Sequence, residues 1–193
     1  MLRAFIAIEL PVDLQIEISQ LIERLQKKAG KSSVRWVSTE NIHLTLKFLG
    51  DIPSSEVAKI QDLLIIESAR HQPITLEIGK LEAFPGQKRP RVILLGVDTP
   101  IELASLQRGL ETTLAKQGYP IEQRPFSPHL TLGRVRETAS ISELASLTSS
   151  LIDVKIEPLE KVLVDKIHLF KSDLKPGGSV YTKLLSAQLS HST

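Results

Sequence analysis

The chain has 193 residues, 41% hydrophobic and 24% charged, which suits one domain or two small lobes sharing a core and excludes wholesale disorder or a fibrous repeat. A formal charge of +2 is far from the cationic excess of a duplex-binding protein and better suits a small anion or an RNA end. The absence of cysteine excludes disulfides, thiolate metal sites and cysteine nucleophiles, and it fits a reducing, cytoplasmic setting.

Leu2 to Glu9 alternates branched and aromatic residues with smaller ones and predicts a first strand. Glu9 and Pro11 interrupt it well before the length of a leader or a membrane span. Val12 to Lys28 carries apolar residues at helical spacing, with Gly30 as a stop. Val34 to Val37 reads as a short strand, Ser38 to Asn41 as a turn, and His43 to Leu49 as a clear strand ended by Gly50. Ser54 or Ser55 is expected to cap a helix running to Ser68. Ile74 to Leu81 and Val92 to Val97 predict two more strands around a loop from Phe84 to Pro90, and Ile101 to Lys116 predicts a third helix ended by Gly118.

The pattern then begins again. A stretch with Pro120, Pro125 and Pro128 leads to a strand from His129 to Val135, followed by a helix from Ser142 to Leu151. Strands Val162 to Phe170 and Val180 to Leu189 close the chain around the turn Lys175-Pro176-Gly177-Gly178. That closing pair favours largely antiparallel sheets and hence an α+β fold over a doubly wound parallel one. No linker long enough to separate independent domains interrupts residues 1–193.

The tetrapeptide His-Leu-Thr-Leu occurs at His43 and again at His129. In a strand, alternate side chains share a face, so His43 and Thr45 point one way while Leu44, Leu46 and Phe48 fall on the packed side. The same alternation sets His129 beside Thr131. If the halves are related by a pseudo-twofold axis, two imidazoles and two hydroxyls surround one small anion. Such a site suits phosphate chemistry. One neutral imidazole, with an ordinary pKa of about 6.5, takes a proton from water while the other, protonated, gives one to the departing oxygen. The threonines donate to nonbridging oxygens as charge builds on them.

With its flanking segments, the chain resembles the 2H phosphoesterase superfamily, specifically the RNA 2′,3′-cyclic phosphodiesterases, also called the 2′-5′ RNA ligase family. The likeness covers nearly the whole chain. It is carried by Arg3 to Pro11, by Trp36-Val37 ahead of Asn41 to Gly50, by Pro90-Arg91-Val92, by Phe126 to Arg134, and by Gly178 with Tyr181. The resemblance implies a bilobal α+β fold whose two mostly antiparallel sheets flank a groove, with helices outside. It implies metal-free hydrolysis of a 2′,3′-cyclic phosphate to a 2′-phosphomonoester, alongside weak joining or cleavage of 2′-5′ linked RNA. On this likeness His43 protonates the leaving 3′ oxygen and His129 activates water, although the near-symmetry of the motifs leaves the two roles open to exchange.

Arg134 matches the family's arginine five residues after the second histidine, a partner for a substrate phosphate. An offset of five belongs to the wrong face of a strand, and Gly133 suits either a bulge or the end of the strand, each of which re-aims the side chain. Phe5 matches a groove-facing position and suits either stacking on a base or a place in the core. The resemblance implies no cofactor, no metal and no obligate protein partner, and a cytoplasmic monomer acting on RNA ends or nucleotides.

Competing readings are blander. A strand histidine beside leucines is commonly structural, and threonine favours strands regardless of function. The histidines lack the close ligand spacing, such as His-Glu-x-x-His, of a zinc hydrolase. His71, His168 and His191 read as helix-end, strand and tail residues, and Trp36 as core. Lys88, Arg89 and Arg91 suit either a guide for an RNA backbone or a solvated loop. A noncatalytic RNA or nucleotide binder, and a phosphodiesterase for 2′-5′ oligonucleotides, remain the alternatives.

Overall fold

A computed structural model describes residues 1–29, 33–86, 89–154, 159, 161–176 and 178–190. Gly30, Lys88, Gly177 and His191, which figure in the expectations above, lie outside them. The fold is α+β. Its strands are β1 (Leu2–Glu9), β2 (Val34–Trp36), β3 (His43–Ile52), β4 (Ile74–Leu76), β5 (Ile78–Phe84), β6 (Val92–Val97), β7 (His129–Val135), β8 (Val162–Val164), β9 (Lys166–Lys175) and β10 (Gly178–Gln188). The helices are α1 (Val12–Ala29), α2 (Val57–Ser68), α3 (Ile101–Ala115) and α4 (Ile141–Asp153).

An antiparallel sheet of eight strands runs in the order β10-β9-β1-β3-β7-β6-β5, with β2 pairing β7 outside that path. Among the described residues its two halves pair where β3 touches β7, through Leu44 and Leu130. The two sheets expected around a groove are thus halves of one sheet pinched at a waist. A small antiparallel pair, β4 with β8, stands apart.

A pseudo-twofold axis through the waist exchanges β1 with β6, α1 with α3, β3 with β7, α2 with α4, β4 with β8, and β5 with β9. The central pairings obey it: β1 lies between β3 and β9 as β6 lies between β7 and β5, while β10 and β2 have no counterparts. The helices obey it too, since α1 packs on α4 and α2 on α3. Leu14, Ile18, Leu21 and Leu25 of α1, with Leu103, Leu106 and Leu110 of α3, bury their stripes against one apolar face of the sheet. The helices cover that face and leave the other for the groove. No helix among the described residues is long and apolar enough to cross a membrane.

Several expected elements differ in detail. The strand read as Ile74 to Leu81 is two, broken at Glu77, because the chain leaves the small pair to join the large sheet. Val162 to Phe170 breaks likewise at Asp165. The breaks fall at matching places, β4 to β5 and β8 to β9; the Glu77 carbonyl accepts from Asp98 N–H, just past β6, at 3.0 Å, and that of Asp165 from Leu189 N–H, just past β10, at 2.7 Å. Neither Ser54 nor Ser55 caps α2; Ser54–Glu56 form a 3-10 turn closed by Glu56 N–H on the Pro53 carbonyl. Ser140 does cap α4, in a capping box with Glu143.

Candidate active site

His43 and His129 open β3 and β7, and in each the ring is fixed by the backbone two residues earlier. His43 Nδ1 lies 2.8 Å from the Asn41 carbonyl and His129 Nδ1 lies 2.9 Å from the Ser127 carbonyl. A carbonyl only accepts, so Nδ1 carries the proton in both rings. Nε2 is then the nitrogen left for chemistry.

The waist brings the motifs together. Antiparallel pairing of Leu44 with Leu130 sets His43 across from Thr131 and His129 across from Thr45, all on the face opposite the two buried leucines. His43 and Thr45 are half-buried, His129 is exposed and Thr131 half-buried, so the quartet reaches solvent. Among the described residues no hydrogen bond occupies either threonine hydroxyl. Burial pushes the His43 imidazole below its ordinary range, the Asn41 carbonyl pulls it up, and the charge of His129 pushes it down again.

Both strands carry a bulge at the same place. In β3 the register passes from Thr45 opposite Ala7 to Lys47 opposite Ile6, skipping Leu46. In β7 it passes from Thr131 opposite Leu94 to Gly133 opposite Ile93, skipping Leu132. A bulge sends two successive residues to one face, so Lys47 and Gly133 follow the leucines inward. Lys47 is 5% exposed and binds Glu111 Oε2 and the Pro120 carbonyl, each at 2.5 Å. Gly133 solves the same problem by having no side chain: a Cβ there would stand 2.7 Å from Val34 Cγ1.

The next residue turns outward, so Arg134 lands on the histidine face with its guanidinium exposed. Phe48 lands there as well. This corrects its expected place among the leucines, because strict alternation ignores the bulge; the ring is 67% exposed and 6.1 Å from that of Phe5.

Phe5 is 3% exposed, which removes it as a platform for a base. Its ring stacks on His43 at 4.7 Å and on Phe170 at 5.3 Å, with the Tyr181 ring edge-on at 5.0 Å. It forms the floor beneath the His43 imidazole. His71 lies just past α2, bonded to Glu67, and His168 is a buried strand residue bonded to Ser186; neither joins the quartet. Among the described residues no cluster of three His, Cys, Asp or Glu side chains could hold a metal ion. Arg89 and Arg91 are exposed.

The sequence profile of the LigT-like phosphoesterases matches residues 8–94 and 95–181, one motif in each segment. The chain belongs to the LigT-like phosphoesterase family. It is 32% identical over 182 residues to a protein of Methanothermobacter thermautotrophicus named RNA 2′,3′-cyclic phosphodiesterase, covering 94% of this chain and 96% of that one. A Thermotoga maritima protein of the same name is 31% identical over 187 residues, covering 97% and 95%. The crystal structure of E. coli LigT complexed with 3′-AMP superposes with a TM-score of 0.73 at 26% identity, covering 98% and 99%.

Within this LigT-like site, four residues were given no role at the site by the reading of the sequence. Phe48 and Tyr181 make the surroundings of His43 aromatic, Tyr181 standing edge-on to the imidazole at 5.2 Å. Asn41 Nδ2 donates to the Ser179 carbonyl at 3.3 Å and ties the entry of β3 to β10. Arg35, in the three-residue strand β2, pairs with Arg134. Its place between Val34 and Trp36, both apolar, was the available signal that it points away from the core.

Proposed function

We propose that this LigT-like phosphoesterase is an RNA 2′,3′-cyclic phosphodiesterase, acting by two-histidine acid–base catalysis on RNA ends or nucleotides. The observation that carries the reading is the β3–β7 waist, which sets two Nδ1-anchored imidazoles and two threonines on one solvent-facing side of the sheet. The names of the relatives support the substrate class.

In the reaction, water attacks phosphorus and gives its proton to the Nε2 of one imidazole. The bond from phosphorus to the ribose 3′ oxygen breaks, and that oxygen takes a proton from the Nε2 of the other, leaving a 2′-phosphomonoester. Thr45 and Thr131 donate to the nonbridging oxygens, where charge grows, and Arg134 adds a planar, permanently charged fork. Phe5 holds the His43 ring in place. His43 serves as the acid and His129 as the base. A lowered pKa makes His43 the readier donor, at the expense of the fraction protonated near neutrality. Weak 2′-5′ RNA ligation uses the same groups with an RNA 5′-hydroxyl in the place of water: its oxygen bonds to phosphorus, its proton goes to the base, and the 3′ oxygen departs with a proton from the acid. The working unit is one bilobal domain, a cytoplasmic monomer without metal or cofactor.

Adenosine 2′,3′-cyclic phosphate incubated with the protein in excess chelator is expected to yield the 2′-phosphomonoester. His43→Ala and His129→Ala each lower kcat by about a hundredfold or more while circular dichroism stays that of the parent. A substrate with sulfur in place of the 3′ oxygen needs no proton to depart, so it restores turnover to His43→Ala and not to His129→Ala. Full activity in either variant on the oxygen substrate sinks the two-histidine scheme.

A further inference from the structure

The two halves of the groove share a backbone and differ in chemistry. At the position after each bulge, the His43 half presents Phe48 and the His129 half presents Arg134. Beyond Arg134 lies β2, whose Arg35 is its direct antiparallel partner. Val34 is buried and Trp36 packs on the core, so Arg35 between them faces the groove side, as Arg134 does. Two arginine side chains therefore leave the same face from directly paired positions, their Cα atoms about 5.5 Å or less apart by the geometry of such pairs.

Like charges directly opposite each other on a ladder are destabilising. Neither arginine has a carboxylate partner among the described residues to offset the repulsion. Arg35 is exposed, and its Nη2 lies 3.5 Å from where a Cβ of Gly178 would stand, at the start of β10, so the guanidinium reaches from β2 toward that strand across the end of the groove. Asn41, bonded to Ser179, closes the same end. An unneutralised arginine pair held at the end of a groove suits an anion with more than one phosphate group.

We propose that Arg35 binds a second phosphate, the phosphodiester on the 5′ side of the terminal nucleotide, while Arg134 serves the cyclic phosphate; this rests on the function proposed above. Because β6 fills one edge of β7, β2 lies on the edge that β3 also pairs, so Arg35 stands a strand spacing of about 4.8 Å from Arg134, between the two halves and beyond the quartet along the strand. The pair thereby favours an RNA chain end over a free cyclic mononucleotide, and the chain leaves the groove past β2. The aromatic half around His43, which carries no cation after its bulge, is left to the terminal nucleoside.

The test compares kcat/KM for adenylyl-(3′-5′)-adenosine 2′,3′-cyclic phosphate with that for adenosine 2′,3′-cyclic phosphate. In the parent protein the ratio is expected to exceed one and to shrink as salt rises. Arg35→Met, which keeps an apolar stem over the core, lowers the ratio about tenfold or more, chiefly through KM, and Arg35→Lys keeps part of it. A dinucleotide whose bridging phosphate is a neutral methylphosphonate gives the parent the ratio of Arg35→Met. An unchanged ratio in Arg35→Met, whether both rates fall or neither does, overturns the proposal. Should the parent hydrolyse neither substrate, the functional reading fails separately. The clamp is then judged by binding of the 2′-phosphorylated dinucleotide against 2′-AMP: a preference lost in Arg35→Met supports it, and a preference unaffected by the substitution overturns it.

Discussion

Phe5 carries no reacting atom, yet the state of His43 depends on it. The buried ring stacks under the imidazole and excludes water from one side, and burial is the main force pushing the His43 pKa down. Phe5→Ala is expected to act twice. Deleting a buried phenyl costs about 3–5 kcal/mol, which lowers Tm by roughly 10 °C in a domain of this size. Opening the floor lets water reach the ring, so the His43 pKa, followed by NMR, rises toward its ordinary value near 6.5. A pKa that stays low in Phe5→Ala would assign the shift to the neighbouring His129 charge instead. The sequence places an aromatic residue at this point of β1; only the packed structure shows it covered on every side by His43, Phe48, Phe170 and Tyr181.

At the scale of elements, the paired bulges decide what the groove contains. Alternation along His43 to Leu49 predicts a face of three apolar residues, and it fails at Lys47 because a two-residue period cannot register an inserted residue. In β7 the glycine signals the bulge, whereas in β3 a lysine occupies the same place, and a lysine in a strand gives no such signal. Lys47 is tolerated there because Glu111, Gln107 and the Pro120 carbonyl form a buried polar network around it. The network also ties α3 to the segment that leads into His129. Lys47→Met leaves Glu111 without its cation and is expected to lower stability by about 3–5 kcal/mol in urea unfolding. Adding Glu111→Leu recovers most of that loss, since a buried pair replaced by apolar side chains is often nearly neutral. A double variant no more stable than the single one would mean that the carboxylate is held by its other partners alone. The breaks at Glu77 and Asp165 illustrate the same limit: a run of strand-forming residues does not reveal that its two ends belong to different sheets.

Across the whole molecule, the fold joins two copies of one plan at one pair of leucines and then gives each copy different work. Aromatic rings surround His43, and arginines flank His129. The sheet also stores titratable groups that link stability to acidity. His43 and His168 both have lowered pKa values, in each case chiefly through burial, with Lys183 the next cause for His168. Above about pH 6.5 both are neutral in the folded and unfolded chains alike. As pH falls through that value the unfolded chain binds protons first, so the folded state loses stability until the lowered folded-state pKa values are passed. The urea midpoint is expected to be flat from pH 8 to 7 and to decline below about 6.5, before carboxylates titrate. His168→Gln should remove part of that decline; a slope unchanged in this variant would leave His43 as its source.

The amino-acid sequence by itself determined the α+β class, the order of strands and helices, and the identity of the two His-Leu-Thr-Leu strands. Each of these is local: alternation, helical spacing, capping and turn chemistry are written in neighbouring residues. It also marked Gly133 as a bulge or a strand end, and the register shows the bulge. What the tertiary structure alone decided is which faces meet. The convergence of His43 and His129, the pairing of Arg35 with Arg134 and the burial of Phe5 all depend on strand order and register. Those are set by the packing of helices against one face of a sheet whose strands lie far apart in the chain, and no short window of sequence contains both partners.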